Sequence, residues 1–208
     1  QLDGTDVSRV TKYTLKDVLP SDPKSEPSVA GWTPTAVAFD RSGRYVMIGS
    51  STSGVEVAEL NREAVKFTSI KSTRPQEAPF AVVNDIEASP VDDLVLIGAN
   101  EGLAVARLVD GTLSLLRTYG PKNLPMENTE VWDIARSPNG AQVAVANPDG
   151  GAILADIDAS GTLSKPVRYS TAGGAAISSD SVSSVAFSPD GKYLLIGTAS
   201  GLNVVGLS

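Results

Sequence analysis

The sequence predicts an all-β fold, a four-bladed β-propeller, and three observations carry that prediction. A seven-residue pattern recurs at Val37–Gly43, Ile86–Asp92, Ile134–Gly140 and Val185–Gly191. Ten positions after the third residue of each copy (Phe39, Ala88, Arg136, Phe187) stands a small residue, Gly49, Gly98, Ala146 or Gly197. The matched turn residues Arg41, Pro90, Pro138 and Pro189 are 49, 48 and 51 positions apart. A period near 50 that holds four short runs punctuated by turn residues is one propeller blade.

Each element of the unit has its own reason. Strand a is short and mostly apolar, as in Val185-Ala186-Phe187. The turn Ser188-Pro189-Asp190-Gly191 follows; proline presets its φ and glycine takes the left-handed position. Strand b, Tyr193-Leu194-Leu195-Ile196, has the composition of a buried sheet strand. A tight turn at 198–201, matched by 50–54, 99–102 and 147–151, leads into strand c. Strand d is more polar and ends in an aromatic residue: Val65-Lys66-Phe67, Leu116-Arg117-Thr118-Tyr119, Val167-Arg168-Tyr169. Polarity suits an outer strand whose edge must not pair with other chains.

These runs place blade 1 at about 34–70, blade 2 at about 82–119, blade 3 at about 130–170 and blade 4 at about 182–208. The fourth unit lacks a strand d. Leu2-Asp3-Gly4-Thr5 before Val10-Thr11-Lys12-Tyr13 matches Val109-Asp110-Gly111-Thr112 before Leu116-Arg117-Thr118-Tyr119. A strand from residues 1–15 is therefore expected to complete blade 4 and close the ring, which removes an open sheet edge.

The stretch Ser188-Pro189-Asp190-Gly191-Lys192-Tyr193-Leu194-Leu195-Ile196-Gly197 resembles the repeat shared by WD-repeat-like, YVTN-type and lactonase-type β-propellers. The resemblance extends over the chain through the four copies and implies the fold, not an activity. The usual members have six to eight blades. The Gly-His start and Trp-Asp ending of true WD repeats are missing, and Trp132-Asp133 falls in strand a. The chain is thus expected to be a self-closed four-bladed monomer, with half of an eight-bladed dimeric ring as the alternative.

Composition narrows the function. With 208 residues in one continuous repeat, a single domain can bury roughly 70% of its unfolded surface. No cysteine and no histidine occur, so Ser-His-Asp and Cys-His devices and thiolate or imidazole metal sites are out of reach. A lactonase-type mechanism that relies on histidine cannot be copied here. The net charge of −7 without a basic run argues against nucleic acid, and no run is apolar and long enough for membrane insertion as a helix. The start at Gln1 reads as a mature product or an excised domain, and the expected location is secreted or cell-envelope.

Propellers gather the d-to-a and b-to-c loops on one face. All four d-to-a connections are long: 17–34, 71–81, 120–130 and 171–181. Long loops on a plain scaffold are where recognition sits. Trp32, Arg74, Phe80, Met126, Glu130 and Trp132 are the candidate ligand-binding residues, for a protein, peptide or glycan. The plainer reading is that the aromatics fill gaps between blades near the axis.

At the entry to strand a, Asn84, Asp85, Asp133 and Ser184 would converge on the central channel. Asn84, Asp85 and Asp133 are the candidate metal ligands, for Ca²⁺, whose oxygen preference they match. The resemblance makes an axial metal conceivable. The alternative is that these groups accept hydrogen bonds from neighbouring N–H groups. Asp156 and Asp158 fit turn geometry, and Asp92-Asp93 a solvated turn. Carboxylate-pair hydrolysis would have only Glu77, Asp85, Glu130 and Asp133 to draw on. The expectation is a non-enzymatic binding or adhesion module. The alternatives are a metal-dependent hydrolase or lyase at the channel mouth, and a structural half-propeller.

Overall fold

A computed structural model describes residues 33–52, 54–64, 66–73, 81–172 and 176–207. Blade 1 comprises β1 (Pro34–Phe39), β2 (Tyr45–Ser50), β3 (Val55–Asn61) and β4 (Lys66–Thr73). Blade 2 comprises β5 (Val83–Ala88), β6 (Leu94–Ala99), β7 (Gly102–Val109) and β8 (Thr112–Tyr119). Blade 3 comprises β9 (Asp133–Arg136), β10 (Gln142–Asn147), β11 (Gly151–Ile157) and β12 (Leu163–Tyr169). Blade 4 has β13 (Val182–Phe187), β14 (Tyr193–Thr198) and β15 (Gly201–Gly206). Every sheet is an antiparallel meander, and the whole is a four-bladed β-propeller with no helix among the described residues. The strand expected to complete blade 4 from residues 1–15 lies outside the described residues.

The a-to-b turns are closed by their own side chains. Ser188 Oγ donates to Asp190 Oδ1 at 2.6 Å and accepts Tyr193 N–H at 3.0 Å. Ser137 and Asn139 repeat this in blade 3, and Asp40 takes the serine's place in blade 1, accepting Tyr45 N–H at 2.6 Å. Gly191, with φ +70°, supplies the left-handed residue. Between β7 and β8, Asp110 and Gly111 both have positive φ, the primed hairpin turn that matches strand twist. Pro166 sits in β12, an outer strand, where a missing N–H costs no ladder bond to a further strand.

Each blade has two apolar faces, one toward the preceding blade and one toward the following blade, because side chains alternate along a strand. Met47, Val55 and Val57 of blade 1 meet Ile86, Val95 and Ile97 of blade 2. Leu96, Leu103 and Val105 of blade 2 meet Ile134, Val143 and Ile153 of blade 3. Ala144, Ala146 and Leu154 of blade 3 meet Val185, Leu194 and Ile196 of blade 4. The small residue that ends strand b permits this approach. A Cβ on Gly98 would stand 2.7 Å from Val131 Cγ1 at the entry to blade 3.

The inner strands stack in sequence, β1 on β5, β5 on β9 and β9 on β13. No comparable packing returns from β13 to β1 among the described residues.

Candidate functional site

Three of the four inner strands, β1, β5 and β13, begin with a bulge. Register shifts fall between Pro34 and Ala36, Val83 and Asp85, and Val182 and Ser184, so Thr35, Asn84 and Ser183 are the extra residues. A bulge re-aims its side chain away from the ladder. Thr35 Oγ1 donates to the Val83 carbonyl of the next blade. Asn84 Nδ2 donates to Asn100 Oδ1 and to the Val131 carbonyl of blade 3, both at 2.9 Å.

The inner-strand carboxylates also cross between blades. Asp85 Oδ2 accepts Ile134 N–H at 2.8 Å, and Asp133 Oδ2 accepts Val185 N–H at 2.7 Å. Glu87 Oε1 accepts Arg136 N–H at 3.2 Å. Burial pushes the Asp85 carboxyl up to about 6, and the nearby Asp133 charge pushes the same way. Burial likewise raises the Glu87 carboxyl, against the lowering effect of the Arg136 N–H. The Arg136 guanidinium is held below its ordinary value by burial. Its Nη2 donates to the Gly140 carbonyl at 2.5 Å and lies 3.7 Å from Asp92 Oδ2.

Asn84, Asp85 and Asp133, the metal candidates of the sequence, are therefore brought to one inner-strand layer, where each ties its blade to the next. Among the described residues no group of three His, Cys, Asp or Glu side chains that could hold a metal ion occurs. Asp156 pairs with Lys165 at 2.9 Å, and Asp158 Oδ1 accepts the Ser160 and Thr162 N–H groups, all within the β11–β12 hairpin.

Among the loops, 120–131 is the long d-to-a connection described throughout. Leu124, Met126 and Val131 are buried in the core between blades 2 and 3. Met126, expected at a ligand surface, thus belongs to the packing; its flexible thioether chain suits an irregular gap between sheets. The polar residues pin the loop from above. Asn147, fully buried in the b-to-c turn, donates from Nδ2 to Asn128 Oδ1 at 2.6 Å and to the Glu130 carbonyl at 2.7 Å. Its Oδ1 accepts Glu127 N–H at 3.3 Å. Thr129 Oγ1 reaches the Asn100 carbonyl at 2.7 Å, and Arg168 pairs with Glu127.

Where this loop enters strand a, Trp132 remains 44% exposed. Its N–H donates to the Ala146 carbonyl at 3.0 Å, and its indole Nε1 donates to Glu130 Oε2 at 3.1 Å. Trp132 and Glu130 are the two expected ligand-binding residues that the structure places side by side on this face; it does not bury Trp132 as a plug between blades. Trp32, Arg74 and Phe80 lie outside the described residues. Sequence reasoning passed over Asn147, because Asn147-Pro148-Asp149-Gly150-Gly151 reads only as a turn. The signal available was an amide in a turn facing an eleven-residue loop (120–130) one strand away.

Residues 174–202 match the WD domain, G-beta repeat family (WD40). No curated protein matches the sequence. Among solved structures, the β-propeller domain of Cps50 (Swd1) from Myceliophteria thermophila is similar, with a TM-score of 0.63 at 11% identity. The similarity covers 92% of this chain and 58% of that one, so the chain spans a little over half the length of that propeller. The chain is a β-propeller repeat protein, and its matched repeat is the unit that carries Ser188-Pro189-Asp190-Gly191.

Proposed function

We propose that the protein is a non-enzymatic interaction module whose loop face, centred on Trp132 and Glu130, binds a protein segment or peptide. The observation that carries this reading is a rigid loop with an exposed aromatic at its end. Burial of Leu124, Met126 and Val131, together with the Asn147 bonds, fixes loop 120–131 before any partner arrives. Preorganisation removes much of the ordering cost of association, and a tryptophan beside a hydrogen-bonded carboxylate is an amphipathic anchor. The −7 charge of the chain and the Glu130 carboxylate favour a segment with basic residues near its apolar contact. WD40-type propellers in general serve as scaffolds for protein contacts, which supports the class of partner.

Selection of a displayed random peptide library on the intact protein, followed by titration of the enriched peptides, tests the reading. Enriched peptides should carry Lys or Arg beside an apolar residue. Trp132→Ala should weaken them at least tenfold while melting like the parent. Unchanged affinity in the folded variant would overturn the placement, and a selection that enriches nothing would overturn the peptide class.

A further inference from the structure

The two ends of the blade series carry faces that the interior blades bury. On blade 1, the positions matched by Ile86, Ile134 and Val185 in the other three blades belong to Val37. Those three are buried against the preceding blade, whereas Val37 is 70% exposed, and Phe39 beside it is 58% exposed. Val46 and Ile48 on the same sheet form a small separate cluster with Leu60 and Phe67, so the uncovered part is the inner strand.

Blade 4 shows the complementary defect. Leu202 and Val204 match Val55 and Val57, Leu103 and Val105, and Ala152 and Leu154, all buried by the blade that follows. In blade 4 they are 67% and 61% exposed, with Tyr193 exposed beside them. Gly197 gives an independent sign of a missing neighbour. At Gly49 and Gly98 an added Cβ would collide with Val83 and Val131 of the following blade. At Gly197 the three atoms nearest an added Cβ all belong to Ser184 of its own blade, and none comes from another blade.

We infer that a second copy of this chain covers both faces, head to tail: the Leu202–Val204 face of each copy seats on the Val37–Phe39 face of the other. The repeat itself states what fits. The face presented by Leu202 and Val204 is the one that blades 1, 2 and 3 each offer to a strand a carrying Val or Ile at the Val37 position. One chain owns both halves of that contact, so two copies related by a twofold axis satisfy all four exposed faces at once. Two identical heterologous contacts then close a ring of eight blades, within the size range of propellers. Ser184 stands where Asp85 and Asp133 reach the next blade, so in the assembled ring it faces the partner's Val37 backbone N–H. The ring carries two Trp132 loops on one face and a complete central channel.

Light scattering on the purified protein should give twice the 21.5 kDa chain mass. Leu202→Asp and Val37→Asp, both on exposed side chains, should each halve that mass while keeping the parent's circular dichroism. Mixed in equal amounts, the two variants retain one intact contact per pair and should return to the dimer mass. Val204→Lys repeats the test if Leu202→Asp fails to fold. A monomeric parent overturns the inference. A dimer that survives Val37→Asp means a face-to-face contact, and mass that climbs with concentration beyond two copies means an open array; either overturns the closed ring.

Discussion

Asp85→Asn should stabilise the protein at neutral pH and flatten its pH dependence. The folded chain holds the Asp85 carboxyl at about 6, against 3.8 for the free side chain. A carboxyl raised in the folded state is protonated there while the unfolded chain has already released its proton. Between about pH 4 and 6 the folded state therefore binds more protons, and stability falls as pH rises through that window. A gap of roughly 2 pH units at about 1.4 kcal/mol each sets a ceiling of about 3 kcal/mol. Asp85 is only half-buried and shares its field with Asp133, which reduces the expected effect to about 1–2 kcal/mol. Asparagine keeps an acceptor oxygen for Ile134 N–H, and its amide can donate to the nearby Asp133 carboxylate. Urea unfolding at pH 4.0, 5.0, 6.0 and 7.5 should show the two proteins alike at pH 4 and the variant ahead at pH 7.5. Glu87, raised by the same cause, leaves some slope in both, so the difference between the curves is the quantity to read. Asp85→Leu is the counter-variant. It strands the Ile134 N–H and should cost about 1–3 kcal/mol at every pH. Parallel curves for parent and Asp85→Asn, or a parent ahead at pH 7.5, would refute the account of this carboxylate.

Three further substitutions test the packing and the loop. Gly98→Val places branched carbon where Val131 Cγ1 stands 2.7 Å from a Cβ, and should destabilise by about 1–3 kcal/mol in a thermal melt. Gly120→Ala, with nothing within 4 Å of its added Cβ, should melt within about 0.5 kcal/mol of the parent. Asn147→Ala removes the bonds to Asn128, Glu130 and Glu127 and should cost about 2–3 kcal/mol. Its amides at Glu127 and Glu130 should exchange hydrogen at least tenfold faster, and unchanged protection there would show that the buried apolar residues hold the loop alone.

The parts of this fold that were legible in the sequence are those whose physics is local. Ser188-Pro189-Asp190-Gly191 closes its turn with its own side chains, so composition and spacing sufficed to place it and, by repetition, the four sheets. The ties between blades depend on residues about one repeat apart. Asp85 meets Ile134 and Asp133 meets Val185, each the residue that follows the matching position in the next blade. That offset was available in the period. Without it, two acidic residues at the channel mouth read equally well as metal ligands or as hydrogen-bond acceptors. Met126 misleads for a related reason. Its neighbours Pro125, Glu127 and Asn128 look like surface, and only the sheet of blade 3 behind the loop decides that the thioether is covered. Trp132 goes the other way, because Glu130 and Ala146 hold its polar groups while leaving the ring open to solvent.

The repeat also obscures what is particular to its ends. Val37 and Ile86 are equivalent in sequence, and pattern alone assigns both to a core. What separates them is whether a blade stands in front, which is a property of position in the series and not of the residue. The same holds for Leu202 against Leu103. A chain that realises one interface rule three times states that rule on its two outer blades as well, and apolar side chains left in water there are the unsatisfied terms of it. Burying them needs only the face that every interior blade already supplies, which is why the mass of the particle and the response to Val37→Asp bear on the whole architecture and not on one contact.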